Sequence, residues 1–174
     1  MLEERGKEIV NESHCTNPAA LAYRAATMAN TARSLKTAAE AKRQGIDLTS
    51  VNKAVQRDSS IEMARSIKAA MDDPTDVSEF IRRMFRGPLG YAVYDVEVVE
   101  ESHDRVVLEY HYCPLVKAWQ NSGMSVQEIG DTCLNAMEGD LITAAEMGYD
   151  LDIQKTIGCG HGCCRLVYSR KTEG

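Results

Sequence analysis

The sequence has few aromatic residues, few prolines and no long apolar run. Aromatic residues make up 6% of the 174 residues, and only 4 residues are proline. The apolar stretches span a few residues each, whereas a membrane helix needs about 20, so the composition excludes a transmembrane helix. The first residues, MLEERGKEIVNES, carry acids and bases where a secretory signal would be apolar. We therefore expect a cytoplasmic protein that does not bind membranes.

Positive charge is also scarce, and the shortage lies in the second half of the chain. The sequence has 20 Lys and Arg against 26 Asp and Glu, a net charge of -6. Residues 1–87 have a net charge of +2 and residues 88–174 a net charge of -8. Such a chain has no field to attract phosphate backbones, so we expect no nucleic-acid partner. The length fits one domain, or one domain with an appendage.

The first half has the pattern of long helices. Asn17 and Pro18 form a helix start, Gly45 a stop, and no Gly or Pro lies between. Apolar residues then recur in alternating steps of 4 and 3, at Leu21, Ala25, Met28, Ala32, Leu35 and Ala39. This heptad seam predicts a partner helix, which is either the next helix or the same helix of another subunit. A homo-oligomer formed through the N-terminal helices is therefore expected.

Two further helices and a boundary follow. A second helix is predicted from Thr49 or Ser50 to about Met71, and a third from Val77 to Phe85, capped by Asp76. The Gly87-Pro88 junction then marks a predicted domain boundary. We expect a helical arm or dimerisation region over residues 1–87 and a cysteine-rich α+β domain over residues 88–174.

After that junction the apolar period changes from that of a helix to that of a strand. Tyr94, Val96 and Val98 alternate with acidic residues, and the segment 105–112 alternates in the same way. A short helix is predicted from Pro114, a long one from Ser125 to Met147 or Gly148, and two more strands over residues 150–157 and 163–170. The predicted fold class is α+β, with an N-terminal helical arm followed by a four-stranded antiparallel sheet packed against a long helix.

One acidic residue stands out on the long helix. A helical wheel places Asp140 on a face that is otherwise apolar or thiol-bearing, with Ile129, Cys133, Ala136, Thr143 and Met147. A carboxylate there is costly unless it is hydrogen-bonded, paired or neutral. Two interpretations stay open: an Asp bonded to loop amides at the helix edge, or an acid or base with a raised pKa in a functional site.

Five of the six cysteines lie in the last 62 residues. Cys113 ends its strand before Pro114, where the N-terminus of the next helix is expected to lower its pKa. His111 lies on the same strand, but residues two apart on a strand are about 6.5–7 Å apart, too far for a direct Cys–His pair. The run 156–164 holds a dense group, Cys159, His161, Cys163 and Cys164. Its spacing differs from that of a zinc knuckle, so core packing and metal ligation both stay open.

These residues, taken in order, resemble the L-2-amino-thiazoline-4-carboxylic acid hydrolase family. The resemblance extends from about Tyr110 to Ser169. It includes Cys113-Pro114, a helix with Cys133 and Asp140 that leads to Gly148, and then Thr156, Gly160, Cys163 and Cys164. The Thr-x3-Gly-x2-Cys-Cys run is the most specific part of the resemblance. The same cysteine and glycine pattern is similar to small-molecule-binding domains of the 4-vinyl-reductase type.

The resemblance implies a hydrolase that acts on carbon–nitrogen bonds other than peptide bonds. It would open a cyclic amidine such as 2-aminothiazoline-4-carboxylate at the ring carbon between sulfur and nitrogen, giving N-carbamoyl-cysteine. The reaction needs a nucleophile, either a thiolate or an activated water, and an acid for the departing nitrogen. Cys113 or Cys133 is the expected nucleophile and Asp140 the expected proton carrier.

Further residues are predicted to bind the substrate. Backbone amides of the glycine-rich turn 158–162 would hold an oxyanion, and Arg165 or Lys117 would pair with the substrate carboxylate. The other predicted substrate-binding residues are His111, Trp119, Gly160, His161, Cys163 and Cys164. No cofactor is expected for this reaction.

Two alternatives remain at this stage. One is a non-catalytic sensor that dimerises through its helical arm and binds a small ligand, or a metal (zinc or an iron–sulfur cluster) through Cys159 or Cys163. The other is an enzyme relic that has kept the scaffold and lost the activity. Arg165 and Leu166 favour the relic, because they stand where the family tends to have an acid and an aromatic residue.

Overall fold

The computed structural model describes residue 6 and residues 8–171. Six α-helices and four strands occur in this part of the chain. The helices are α1 (Pro18–Arg43), α2 (Thr49–Ala70), α3 (Val77–Phe85), α4 (Pro88–Tyr94), α5 (Pro114–Asn121) and α6 (Val126–Met147). The strands are β1 (Val96–Glu101), β2 (Arg105–Tyr110), β3 (Tyr149–Lys155) and β4 (Cys164–Arg170), and a 3-10 turn, Ile157–Cys159, joins the last two. The predicted α+β class is confirmed.

The four strands form one antiparallel sheet in the order β1-β2-β4-β3. Glu109 of β2 pairs with Arg165 of β4, and Tyr110 pairs with Cys164. The register of β1 on β2 shifts between Val98 and Glu100, and that of β3 on β4 shifts between Ile153 and Lys155. Each edge strand therefore contains a bulge or irregularity.

Side-chain caps explain where several helices begin. Asn17 accepts hydrogen bonds from the first turn of α1, and Asp76 does the same for α3. Ser125 and Glu128 form a reciprocal capping box at the start of α6. Gly148 ends α6 with φ 88°, a conformation that glycine adopts without a steric cost. These starts agree with the sequence-based prediction.

The segment before β1 differs from the prediction. Tyr94 was expected on the first strand, but residues 88–94 form α4, and the strand begins at Val96. Packing favours this helix: the Tyr91 ring stacks on Phe85 with centroids 4.4 Å apart. Gly90 also lies so close to the Phe85 carbonyl that a Cβ would stand 2.1 Å from its oxygen. Tertiary contacts therefore override the alternating pattern.

One face of the sheet carries the main hydrophobic core. Val106, Leu108, Leu166 and Tyr168 of the sheet pack with helical residues that include Ala64, Phe80, Ala144 and Met147. A second core lies at the end of the sheet near α5 and the start of α6, and includes Ile9, Val116, Trp119, Ile129 and Cys133. Because α2 and α3 contribute to the main core, this core continues across the predicted boundary at Gly87-Pro88. The division into two domains stays a prediction.

The heptad seam of α1 has partners within the chain. The helix lies against α4 and α5, and Leu35 packs on the second core. Leu21, in contrast, is 45% exposed. The predicted homo-oligomer therefore remains a prediction for the exposed part of the seam. Within residues 8–171, no helix is long and apolar enough to cross a membrane.

A buried arginine joins α1 to the turn between α4 and β1. The Arg24 side chain is 3% exposed and pairs with Asp95 at 2.7 Å. It also donates to the carbonyl oxygens of Val93 and Ala92, each at 2.7 Å, and its guanidinium lies 4.2 Å from the centre of the Tyr112 ring. Asp95 itself has a left-handed conformation, φ 48°, so this network holds a strained turn in place.

Candidate functional site

Three thiols from separate elements meet beside the sheet. Cys113 precedes α5, Cys133 lies on α6 and Cys164 begins β4, and all three belong to or pack on the second core. The Ile157 amide donates to Cys164 Sγ at 3.2 Å. Gly158 also packs directly on Cys133. The turn between β3 and β4 thus brings the cysteines of α6 and β4 together.

These thiols have raised pKa values. Burial raises the pKa of Cys133 to about 12, and the pKa of Cys164 lies well above its ordinary value for the same reason. The amides of Val116 and Leu115, at the start of α5, lower the pKa of Cys113, as the sequence predicts. Burial outweighs them, however, and the net shift of the Cys113 pKa is upward. The thiol form is therefore favoured at neutral pH.

Asp140 lies on the face of α6 that is turned toward the sheet, between Met137 and Ala144, both at the main core. Its side chain is partly exposed. The carboxylate accepts a hydrogen bond from its own backbone amide and none from any other described side chain or from a loop amide. Burial raises the pKa of Asp140 to about 6. Of the two open interpretations, the structure agrees with a carboxyl of raised pKa and disagrees with a carboxyl bonded to loop amides.

Three tyrosines lie within electrostatic reach of this carboxyl. The Asp140 carboxylate contributes to the raised pKa values of Tyr94, Tyr110 and Tyr168, after burial as the main cause. Tyr94 meets Tyr110 edge to face with ring centroids 6.0 Å apart. Asp140 also contributes to the raised pKa of Cys113. We call the seven residues the Asp140 cluster: Asp140, Tyr94, Tyr110, Tyr168, Cys113, Cys133 and Cys164.

The three tyrosines were not predicted as site residues. Tyr110 and Tyr168 alternate with polar residues in the way that core residues of a half-buried strand do, so nothing in the pattern set them apart. Tyr94 was assigned to a strand that is a helix. Alternation along the strands could have grouped Tyr110, Cys164 and Tyr168, since these three lie on the same face of the sheet.

Three amides of the turn predicted to hold an oxyanion are hydrogen-bonded within the turn. The Cys159 amide donates to Thr156 Oγ1 at 3.2 Å, and the Gly160 amide donates to the Ile157 carbonyl at 2.9 Å. The His161 amide donates to the Thr156 carbonyl at 3.2 Å, and the imidazole contacts the same oxygen at 3.0 Å. Gly160 packs against Gly6. Gly160 and His161 thus shape the turn, and these bonded amides cannot serve a substrate oxyanion as they stand.

Three predicted substrate-binding residues lie on the opposite face of the sheet. Arg165 pairs with Glu109, and His111 lies 3.3 Å from Glu97. Cys163 shares this side, since Glu109 contributes to its raised pKa after burial. The structure therefore separates Arg165, His111 and Cys163 from the Asp140 cluster. Trp119, 5% exposed, is a member of the second core.

Potential metal ligands lie close together at one place in the described chain. Among the described residues, one group of three offers ligand atoms within 4.8 Å of one another, and it consists of Glu97, Glu109 and His111. The cysteines of residues 159–164, predicted as possible ligands, do not form such a group in the described chain. Glu109 is already paired with Arg165, so this group does not require a cation to balance its charge.

Two clefts lie elsewhere. One of about 530 Å³ is lined by residues of α3 and of the segment before it, Asp72, Asp73, Asp76, Glu79, Arg82 and Arg83. The other, about 260 Å³, lies between α1 and the start of α2. The charged side chains of the first cleft pair among themselves, for example Arg83 with Glu79.

Comparison with known proteins gives one match. The model of a family described as L-2-amino-thiazoline-4-carboxylic acid hydrolase matches residues 23–168. This range begins in α1 and ends in β4, so it covers the helical half as well as the segment from Tyr110 on which the resemblance rested. Searches of curated proteins and of solved structures gave no significant match.

Proposed function

Because the chain belongs to the L-2-amino-thiazoline-4-carboxylic acid hydrolase family, we propose that it hydrolyses a small cyclic amidine of the 2-aminothiazoline-4-carboxylate type. We place the reaction at the Asp140 cluster. One observation carries this choice: a partly exposed carboxyl, bonded in the described chain by its own backbone amide alone and with a pKa raised to about 6, lies within electrostatic reach of three tyrosines and of the Cys113 thiol. Such a carboxyl is poised to exchange protons near neutral pH.

Asp140 is the general base in this proposal, and water is the nucleophile. With a pKa of about 6, the carboxyl is mostly ionised at pH 7 and still basic enough to take a proton from water. The thiols are less suited to attack, because burial raises the pKa of Cys113, Cys133 and Cys164. A thiol that stays protonated is a weak nucleophile. Of the two nucleophiles that the sequence left open, a thiolate and an activated water, we therefore propose the water.

Conservation of atoms decides which ring bond breaks. N-carbamoyl-cysteine keeps both nitrogens on the attacked carbon, so this product requires cleavage of the carbon–sulfur bond. The expectation of a departing nitrogen and C–N cleavage therefore does not fit this product. The water oxygen bonds to the ring carbon and the ring sulfur leaves with the electron pair of its bond. One proton of the water ends on the ring nitrogen, and Asp140 passes the other to the sulfur.

Turnover of 2-aminothiazoline-4-carboxylate tests the proposal. A thiol-reactive dye detects the free thiol of N-carbamoyl-cysteine, whereas an amine reagent detects the isomer that C–N cleavage would give. We expect Asp140→Asn to lower kcat by about 10²-fold or more. Cys113→Ala and Cys133→Ala should keep most of the activity.

The matched control is Glu138→Gln. Glu138 lies on the same helix, is half exposed and pairs with Lys53 at 3.5 Å on the solvent side, so its loss should leave kcat unchanged. Full activity of Asp140→Asn would remove Asp140 from the proposed site. If Cys113→Ala or Cys133→Ala is folded but inactive, the nucleophile is a thiol and not water.

The metal-binding sensor remains a second candidate because of the group Glu97, Glu109 and His111. Its ligand types, two carboxylates and an imidazole, suit a divalent transition metal. Calorimetric titration with zinc at neutral pH separates the two candidates. Stoichiometric binding that is lost in His111→Ala, in a protein without thiazoline turnover, would favour the sensor.

A further inference from the structure

The hydroxyl of Tyr168 is buried without a hydrogen-bond partner. Tyr168 is 1% exposed, and its Oη contacts no donor or acceptor among the residues that the structure describes. Buried hydroxyls are nearly always bonded, because an unpaired one loses its hydration without compensation. The neighbouring strand shows the usual situation: Tyr149, equally buried, donates to the Pro74 carbonyl at 2.8 Å. The Tyr168 hydroxyl therefore needs an explanation.

The Tyr168 hydroxyl lies on the same side of the sheet as Asp140, and this position explains why no protein group bonds to it. Tyr168 lies on the face of β4 that is turned toward α6, and its ring packs on Phe80 with centroids 5.8 Å apart. Asp140 extends from α6 toward the same face, between core residues that pack with Tyr168. The carboxylate contributes to the raised pKa of Tyr168, so the two groups are within electrostatic reach. Among the described residues the hydroxyl has no partner, and the carboxylate accepts a hydrogen bond from its own backbone amide alone.

We propose that Tyr168 is a further catalytic residue, whose hydroxyl and the Asp140 carboxylate together hold the attacking water. This inference rests on the proposed function. Tyr168 donates a hydrogen bond to the water oxygen, and the water donates one of its protons to Asp140. A single water satisfies the unpaired hydroxyl, gives the carboxylate a second donor and stands where its proton can be removed.

The hydrogen bond from Tyr168 to the water oxygen also stabilises the intermediate that forms after attack. As the carbon–oxygen bond forms, Asp140 takes one proton of the water, and the electron pair of the C=N bond moves to the ring nitrogen, which takes the second proton. The added oxygen then carries a negative charge on the tetrahedral carbon until it becomes the carbonyl oxygen as the carbon–sulfur bond breaks. The Tyr168 hydroxyl, already bonded to that oxygen, stabilises the charge without reorganisation. Burial keeps the pKa of Tyr168 well above its ordinary value, so the phenol stays protonated and acts as a donor. The proton on Asp140 then moves to the departing sulfur.

Tyr168→Phe tests the assignment, with Tyr149→Phe as the matched control. Tyr168→Phe removes a hydroxyl whose partner is the bound water and leaves no other protein group without its partner, so we expect a Tm close to that of wild type. Its kcat should fall by about 10²-fold with KM nearly unchanged, as for the loss of one oxyanion donor. Tyr149→Phe leaves the Pro74 carbonyl unpaired, so its Tm should fall and its kcat should not. A kcat within about twofold of wild type in Tyr168→Phe would overturn the proposal.

A second measurement does not depend on turnover. Titration of the Asp140 carboxyl carbon by NMR gives its pKa in wild type, Tyr168→Phe and Tyr149→Phe. Without the Tyr168 hydroxyl the bound water is lost, and the pKa of Asp140 should rise because the carboxylate loses a donor. An unchanged pKa in Tyr168→Phe would overturn the inference. If the pKa of Asp140 rises in Tyr168→Phe as expected but wild type does not turn over the thiazoline, the proposed substrate is wrong. In that case the inference that Tyr168 and Asp140 hold a water stands.

Discussion

Gly158 lies directly against Cys133: a methyl group at residue 158 would stand 2.4 Å from Cβ and 2.7 Å from Sγ of Cys133. The turn between β3 and β4 can therefore approach α6 only because this residue has no side chain. We expect Gly158→Ala to lower the free energy of unfolding by about 1–3 kcal/mol through overpacking. Urea unfolding measures the effect. Gly162→Ala is the control, since its Cβ would meet nothing within 4 Å and stability should be unchanged.

The raised pKa of Asp140 predicts how stability depends on pH. The folded pKa is about 6 against an ordinary value of 3.8, so the folded protein keeps a proton that the unfolded chain has lost between these values. The stabilising contribution is complete at low pH and is lost as the pH rises through about 6. Relative to Asp140→Asn, wild type should lose on the order of 2 kcal/mol between pH 4 and pH 7, with allowance for partial exposure. A constant difference in unfolding free energy across this range would contradict the raised pKa.

Activity should show the opposite dependence on pH. As a general base Asp140 must be ionised, so kcat/KM should fall about tenfold per pH unit below its pKa and level off above it. The break is expected near pH 6. Rates of thiazoline opening between pH 4.5 and 8 locate it. If the residual activity of Asp140→Asn shows the same fall at low pH, the general base is another group.

The buried thiols should react slowly with alkylating reagents. Burial raises the pKa of Cys133 to about 12 and that of Cys164 well above its ordinary value. We expect iodoacetamide to label both residues more than about 100-fold more slowly in the native protein than in urea. Mass spectrometry of tryptic peptides gives the rate at each cysteine. Fast labelling of Cys113 that abolishes turnover would support a thiolate nucleophile instead of water.

The buried pair of Arg24 and Asp95 should be important for stability. Arg24→Met removes the ion-pair partner of Asp95, which keeps only the hydrogen bond from Ser13, and leaves two carbonyl oxygens without their donor. We therefore expect a loss of about 3–5 kcal/mol in unfolding free energy. Arg24→Met combined with Asp95→Asn should recover part of this loss, because no uncompensated charge remains. The control is Arg33→Met, an exposed residue of the same helix, for which we expect little change.

The sequence predicted most helices well because their ends carry local signals. Asn17, Asp76 and Ser125 cap their helices by bonds to amides two or three residues away, and such short-range chemistry is visible in the order of residues. The helix α4 was missed because its formation depends on the contact of Tyr91 with Phe85, which alternation of residue types does not reveal.

The site was predictable only in part, for a similar reason. The wheel of α6 placed Asp140 on the buried face, and the burial of that face raises its pKa. Which groups surround it depends on the register of β2 on β4, and sequence alone does not fix that register. Strand parity would have separated Arg165 from Cys164 at once, since adjacent residues of a strand face opposite sides.

The irregularities in β1 and β3 affect how molecules of this protein meet. Both strands are the open borders of the sheet, where unpaired backbone groups invite a strand from a second molecule. The shift after Val98 and the one after Ile153 interrupt these rows of groups, and the acidic side chains Glu97, Glu100 and Glu101 repel a like-charged copy along β1. Edge-to-edge stacking of the sheet into fibrous aggregates is thereby disfavoured.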